Sequence, residues 1–118
     1  MEKVLGLGGV FFRASDPAGL AAWYQAHLGV DPVPDSGDAK PWRQEAGDTV
    51  FAPFPADTDY FGDPARQFML NFRVRDLDAM VAQLRAAGIE VRDEPSPYGR
   101  FARLTDPEGN PIELWQPG

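Results

Sequence analysis

The strongest constraint in this sequence is an internal repeat. Phe12-Arg13-Ala14-Ser15-Asp16 is echoed sixty residues later by Phe72-Arg73-Val74-Arg75-Asp76, and Ala22/Ala82 and Ala26/Ala86 keep that offset. Each copy then closes on a glycine followed by a β-former, Gly29-Val30 and Gly88-Ile89. A repeat of this size governs the whole fold, and 118 residues fit one domain holding both copies.

The repeated grammar is physical. Asp16 and Asp76 are residues whose side chains cap the free N–H groups of a helix start. Pro17 stands at the first helical position, where its missing N–H costs nothing. Leu77, Met80, Val81, Leu84 and Ala87 form an apolar stripe at helical spacing, and Leu20, Trp23, Tyr24 and Leu28 form its counterpart. Gly29 and Gly88 suit the left-handed residue that terminates a helix. Two helices of about eleven residues are therefore predicted.

Strands flank each helix. Phe68, Leu70, Phe72 and Val74 alternate with Met69, Asn71 and Arg73, so the two sets face opposite ways. Val10 and Phe12 match the first set and are expected beneath a helix; Gly9, Phe11 and Arg13 join the second. Further strands are expected at 90–92, 99–104 and 111–115, the last two joined by the turn Asp106-Pro107-Glu108-Gly109-Asn110. In the first half they are expected near Val33, at 42–45 and at 49–54. The stretch 55–66, rich in Pro, Asp and Gly, reads as a linker. The predicted fold class is α+β: two tandem βαβββ modules, about 4–54 and 67–117.

This paired pattern resembles the vicinal oxygen chelate superfamily, which includes glyoxalase I, bleomycin-resistance proteins and extradiol dioxygenases. The resemblance is carried by Gly9–Asp16 leading into Trp23-Tyr24 and Leu28-Gly29, by Asn71–Leu77, and above all by the run Asp106–Leu114. It implies modules that form curved mixed sheets around a pocket, often within a homodimer. Many members hold a divalent metal through the first and last strand of each module. The matching positions here are Gly9, Phe51, Met69 and Glu113. Glycine and phenylalanine offer no ligand, and a thioether is a poor donor for hard or borderline ions. No metal and no cofactor are expected.

Composition narrows the remaining classes. The chain has no cysteine, which excludes disulfides, thiol catalysis and zinc–thiolate sites, and it has a single histidine. That residue, His27, reads as a helix-end histidine favoured by the helix dipole. A net charge of −7 without a basic cluster argues against nucleic acid and serves solubility. No apolar run approaches the roughly 20 residues that span a bilayer, and the start lacks the features of a secretory signal. A cytoplasmic protein without membrane or nucleic-acid partners is expected.

The face shared by both modules places Phe11, Arg13, Phe51, Met69, Asn71, Arg73, Glu113 and Trp115 around an apolar cavity with a few polar groups, the make-up of a small-molecule site. Glu113 admits three readings: neutralised by Arg13 or Arg73, a binding group, or a general base. Trp42, Phe54, Tyr60, Phe61, Tyr98 and Phe101 form a second aromatic group beside the linker, with Tyr60-Phe61-Gly62 as a latch over the pocket mouth. The leading expectation is a metal-free binder of a small aromatic or cationic molecule, resembling bleomycin-resistance proteins. A lyase or isomerase, with Glu113 as base or with a metal, is the alternative; a non-catalytic interaction module is the second.

Overall fold

Both helices begin at their predicted capping aspartates, and each is followed by its predicted left-handed glycine, Gly29 directly and Gly88 one residue past the C-cap Ala87. Asp16 accepts a hydrogen bond of 3.0 Å from Gly19 N and opens α1 (Pro17–Leu28); Asp76 accepts one of 3.0 Å from Ala79 N and opens α2 (Leu77–Ala86). Gly29 and Gly88 then take φ of 71° and 82°, left-handed values that a side chain would strain. The computed structural model describes residues 1–118.

Around α2 the chain completes one βαβββ unit. Strand β1 (Leu70–Arg73) precedes the helix, and β2 (Arg92–Glu94), β3 (Arg100–Thr105) and β4 (Pro111–Gln116) follow it. They form one sheet in the order β1-β4-β3-β2, with β1 parallel to β4 and the other pairs antiparallel. Strand β2 starts two residues later than expected, because Val91 is drawn into the core and pairing begins only at Arg92 opposite Arg103.

Strict alternation gives the sheet two faces. Ala102, Leu104, Ile112 and Leu114 face the helices and pack with Leu77, Val81 and Leu84 of α2 and Leu20 and Tyr24 of α1. Burying Leu84, Ile112 and Leu114 contributes roughly 2 kcal/mol each. On the opposite face, Asn71, Glu113 and Arg103 lie side by side in register; Arg73, Trp115 and Phe101 form the next row.

The first repeat unit departs from the expectation. It supplies α1, but its strands near Val33, at 42–45 and at 49–54, and the one through Val10 and Phe12, form no ladder. No backbone–backbone hydrogen bond involves residues 1–15 or 31–54. Val10 and Phe12, expected beneath a helix, remain partly exposed, and only Phe12 finds an aromatic neighbour, Phe68 at 5.8 Å. The physical reason is that a strand needs a partner edge as well as an alternating sequence. Within one chain these segments find no such edge.

Candidate functional site

The turn that carried the sequence resemblance serves as a structural clamp. Asp106, only 4% exposed, accepts from the backbone N–H groups of Glu108 (2.9 Å) and Asn110 (3.0 Å), from Asn110 Nδ2 (2.8 Å) and from Tyr24 Oη (2.7 Å). Glu108 accepts from Ser15 N (2.6 Å) and Asp16 N (3.0 Å), at the mouth of α1. Arg66 donates to Asn110 Oδ1 (3.1 Å) and to the Glu108 carbonyl (2.8 Å). One turn thus ties α1 and the end of the linker to the β3–β4 hairpin, and so sets where β4 presents Glu113.

Glu113 lies on the open face of β4 yet is only 8% exposed. Asn71, its register partner on β1, donates to Oε1 at 2.7 Å, and the Tyr60 phenol donates to Oε2. Two donors satisfy a carboxylate that burial would otherwise leave costly. Burial pushes the Tyr60 phenol up to about 12, reinforced by its hydrogen bond to Glu113 and by the charges of Glu113 and Glu94, while Arg103 pulls it down. The Arg103 guanidinium sits 4.4 Å from the centre of the Tyr60 ring.

Two clefts adjoin this row. One of about 1020 Å³ is lined by Phe51, Phe54, Phe61, Met69, Asn71, Tyr98, Phe101, Glu113 and Trp115. Phe101 and Trp115 lie across from each other on β3 and β4, their rings 8° from parallel with centroids 6.4 Å apart. Such a flat, accessible pair suits a planar ligand. The other cleft, about 730 Å³, runs along the free edge of β1 and includes Trp42, Met69, Asn71, Arg73 and Trp115.

Among the residues expected at the site, Phe51, Tyr60, Met69, Asn71, Glu113 and Trp115 come together. Trp42 stands apart, its ring 6.4 Å from Phe72. Arg73 is one row from Glu113, opposite Trp115, and donates instead to the Glu45 carbonyl at 2.9 Å. Phe11 is 95% exposed and, like the exposed Arg13, lines neither cleft. Neither arginine neutralises Glu113; Asn71 and Tyr60 satisfy it. The residue missed from sequence is Arg103. Its alternation with Ala102 and Leu104 placed it on the open face, but only the hairpin register sets it opposite Glu113.

The donor set does not fit a divalent metal. Glu113 is the one hard donor among Gly9, Phe51, Met69 and Glu113, and no three His, Cys, Asp or Glu side chains converge anywhere.

The helices on one face of a mixed four-stranded sheet, with an aromatic cleft on the other, define an α+β protein of the glyoxalase/bleomycin-resistance fold. A family model described as a glyoxalase-like domain matches residues 9–115, and the chain belongs to that family, within the vicinal oxygen chelate superfamily. Among solved structures it is similar to TnmS3, an antibiotic binding protein from Streptomyces sp. CB03234, at 28% identity over 88% of each chain with a TM-score of 0.60. It also shares its fold with a glyoxylase/bleomycin resistance protein/dioxygenase domain from Frankia sp. EAN1pec (19% identity, 98% of this chain and 100% of that one, TM-score 0.61). A glyoxalase family protein from Bacillus anthracis matches at 21% identity over 86% and 84% of the two chains, with a TM-score of 0.57. No curated protein matches this chain. No helix is long and apolar enough to cross a membrane.

Proposed function

We propose that this protein binds a small aromatic or cationic molecule over the Glu113–Trp115 face, without a bound metal, as a cytoplasmic homodimer. The observation that carries the reading is a buried, doubly hydrogen-bonded carboxylate at the floor of an aromatic cleft. The Phe101–Trp115 pair supplies a stacking surface, and Glu113 supplies a fixed acceptor for a donor or cation. The likeness to an antibiotic binding protein supports a binder over a catalyst. The poor metal donor set argues in the same direction.

The unpaired segments of the first repeat support the dimer. Their backbone groups and exposed side chains, Phe11 and Phe51 among them, are what a second copy would cover by supplying a strand edge.

A thermal-shift screen across planar aromatic and cationic metabolites tests the reading. A ligand at 100 times its Kd stabilises the fold by about 2.7 kcal/mol. Stabilisation by members of these classes, lost in Glu113→Gln, is the expected result. Turnover of a hit, abolished in Glu113→Gln, would favour a lyase or isomerase instead, and silence across the screen an interaction module. One equivalent of tightly held metal in protein purified without chelators would overturn the metal-free part.

A further inference from the structure

Tyr60 occupies an unusual place for a linker residue. Its hydroxyl donates to Glu113, its ring lies under the Arg103 guanidinium, and Phe54 stacks on it at 5.8 Å and 21°. Glu113 and Arg103 face each other across β3 and β4, yet they form no ion pair. The phenol engages both: a carboxylate at its hydroxyl and a cation over its face. Arg103 Nε is buried and has no hydrogen-bond partner.

These are the terms on which a phenol is recognised. A carboxylate accepts the O–H, and a guanidinium over the ring prefers an electron-rich aromatic and repels a cationic one. The segment that delivers Tyr60 is loosely tied. Its backbone hydrogen bonds close on itself, from Thr58 N to Pro55 O, Gly62 N to Asp59 O and Arg66 N to Asp63 O. Apart from the bond from Arg66 N at its end, the bond from Tyr60 to Glu113 is the one hydrogen bond that ties Pro55–Ala65 to the rest of the molecule.

We infer that Glu113, Asn71 and Arg103 form a phenol subsite, that Tyr60 is its built-in occupant, and that a ligand bearing an aromatic hydroxyl engages Glu113 by displacing it. This rests on the small-molecule reading above and narrows it to electron-rich hydroxyaromatics at this position. The displaced segment swings from Arg66, which is bound to the Asp106–Asn110 turn, and carries Phe54 and Phe61, which pack on each other, with it. Apparent affinity is reduced by the fraction of molecules in which Tyr60 holds the subsite, so removing the occupant raises it.

The test titrates 2-naphthol and its methyl ether, which keeps the rings and lacks the donor, into the wild type, Tyr60→Phe and Tyr60→Ala. For an occupant favoured about ten to one, Tyr60→Ala binds 2-naphthol about tenfold more tightly than the wild type. Tyr60→Phe, which frees the carboxylate and keeps the ring, gains less, about threefold, and the methyl ether gains little in either. If Tyr60→Ala does not fold, Tyr60→Phe decides the matter alone. Affinity for 2-naphthol that is unchanged or lower in the variants overturns the inference and leaves the broader reading standing. So does equal gain for the methyl ether. Failure of 2-naphthol to bind all three proteins also overturns it, whereas the broader reading is judged by the thermal-shift screen.

Discussion

The phenol of Tyr24, on α1, donates a 2.7 Å hydrogen bond to Oδ2 of Asp106, a residue 82 positions later in the β3–β4 turn, and both are buried. With the bonds from Ser15 N and Asp16 N to Glu108, this bond joins the helix of the first repeat unit to the hairpin of the second. Tyr24→Phe removes it and leaves Asp106 with its other donors, at a cost of about 1 kcal/mol. Asp106→Ala strands four donors at once and is expected to cost about 3 kcal/mol. Urea midpoints should fall in that order with unchanged slopes.

Alkaline pH should reveal Tyr60. Its folded pKa of about 12 exceeds its ordinary 10.0 because burial and the hydrogen bond to Glu113 favour the protonated phenol. The folded state therefore holds the proton more tightly than the unfolded state. That contribution is fully present below pH 10 and is lost as pH rises to about 12. Comparing urea midpoints of the wild type and Tyr60→Phe from pH 8 to 12 should show their difference shrinking across that window. Tyr24, raised by burial and by Asp106, shifts in the same sense, so Tyr24→Phe serves as the control.

Glu113→Gln separates binding from folding. Glutamine matches the carboxylate in shape, and both Asn71 and Tyr60 can reorient to meet it, so the stability loss should stay near 1 kcal/mol. Ligands that donate to the carboxylate lose a charge-assisted bond of about 1.5–3 kcal/mol, at least a tenfold loss of affinity by calorimetry. A variant that loses stability and binding in equal measure would contradict a binding role for Glu113.

Phe11 and Phe51 report on assembly. They are 95% and 79% exposed in the single chain, on segments without backbone partners. Sedimentation should find a species of twice 13.0 kDa. Phe11→Glu should shift it toward the monomer while leaving the signals of α2 and its sheet in place. A wild type that remains monomeric at high concentration removes the homodimer.

Much of the fold was legible because its causes are local. Asp16 and Asp76 cap the N–H groups of residues three positions on, and Gly29 and Gly88 end helices through their own backbone freedom. The alternation through Leu70–Arg73 and Pro111–Gln116 assigns Asn71, Glu113 and Trp115 to the open face without reference to packing. Nothing comparable announces Tyr60 on Glu113, Arg103 over Tyr60, or Tyr24 on Asp106.

By itself, then, the amino-acid order determined the two helices, the second βαβββ unit, the open face and the shortage of metal donors. The repeat also promised strands to the first unit, and only the tertiary structure withheld them. A helix satisfies its hydrogen bonds within its own segment, so composition and spacing over a few residues suffice to define it. A ladder, a clamp across 82 positions and a phenol laid on a distant carboxylate depend on which distant surfaces meet. That is settled by the packing of the whole chain, and no local pattern encodes it.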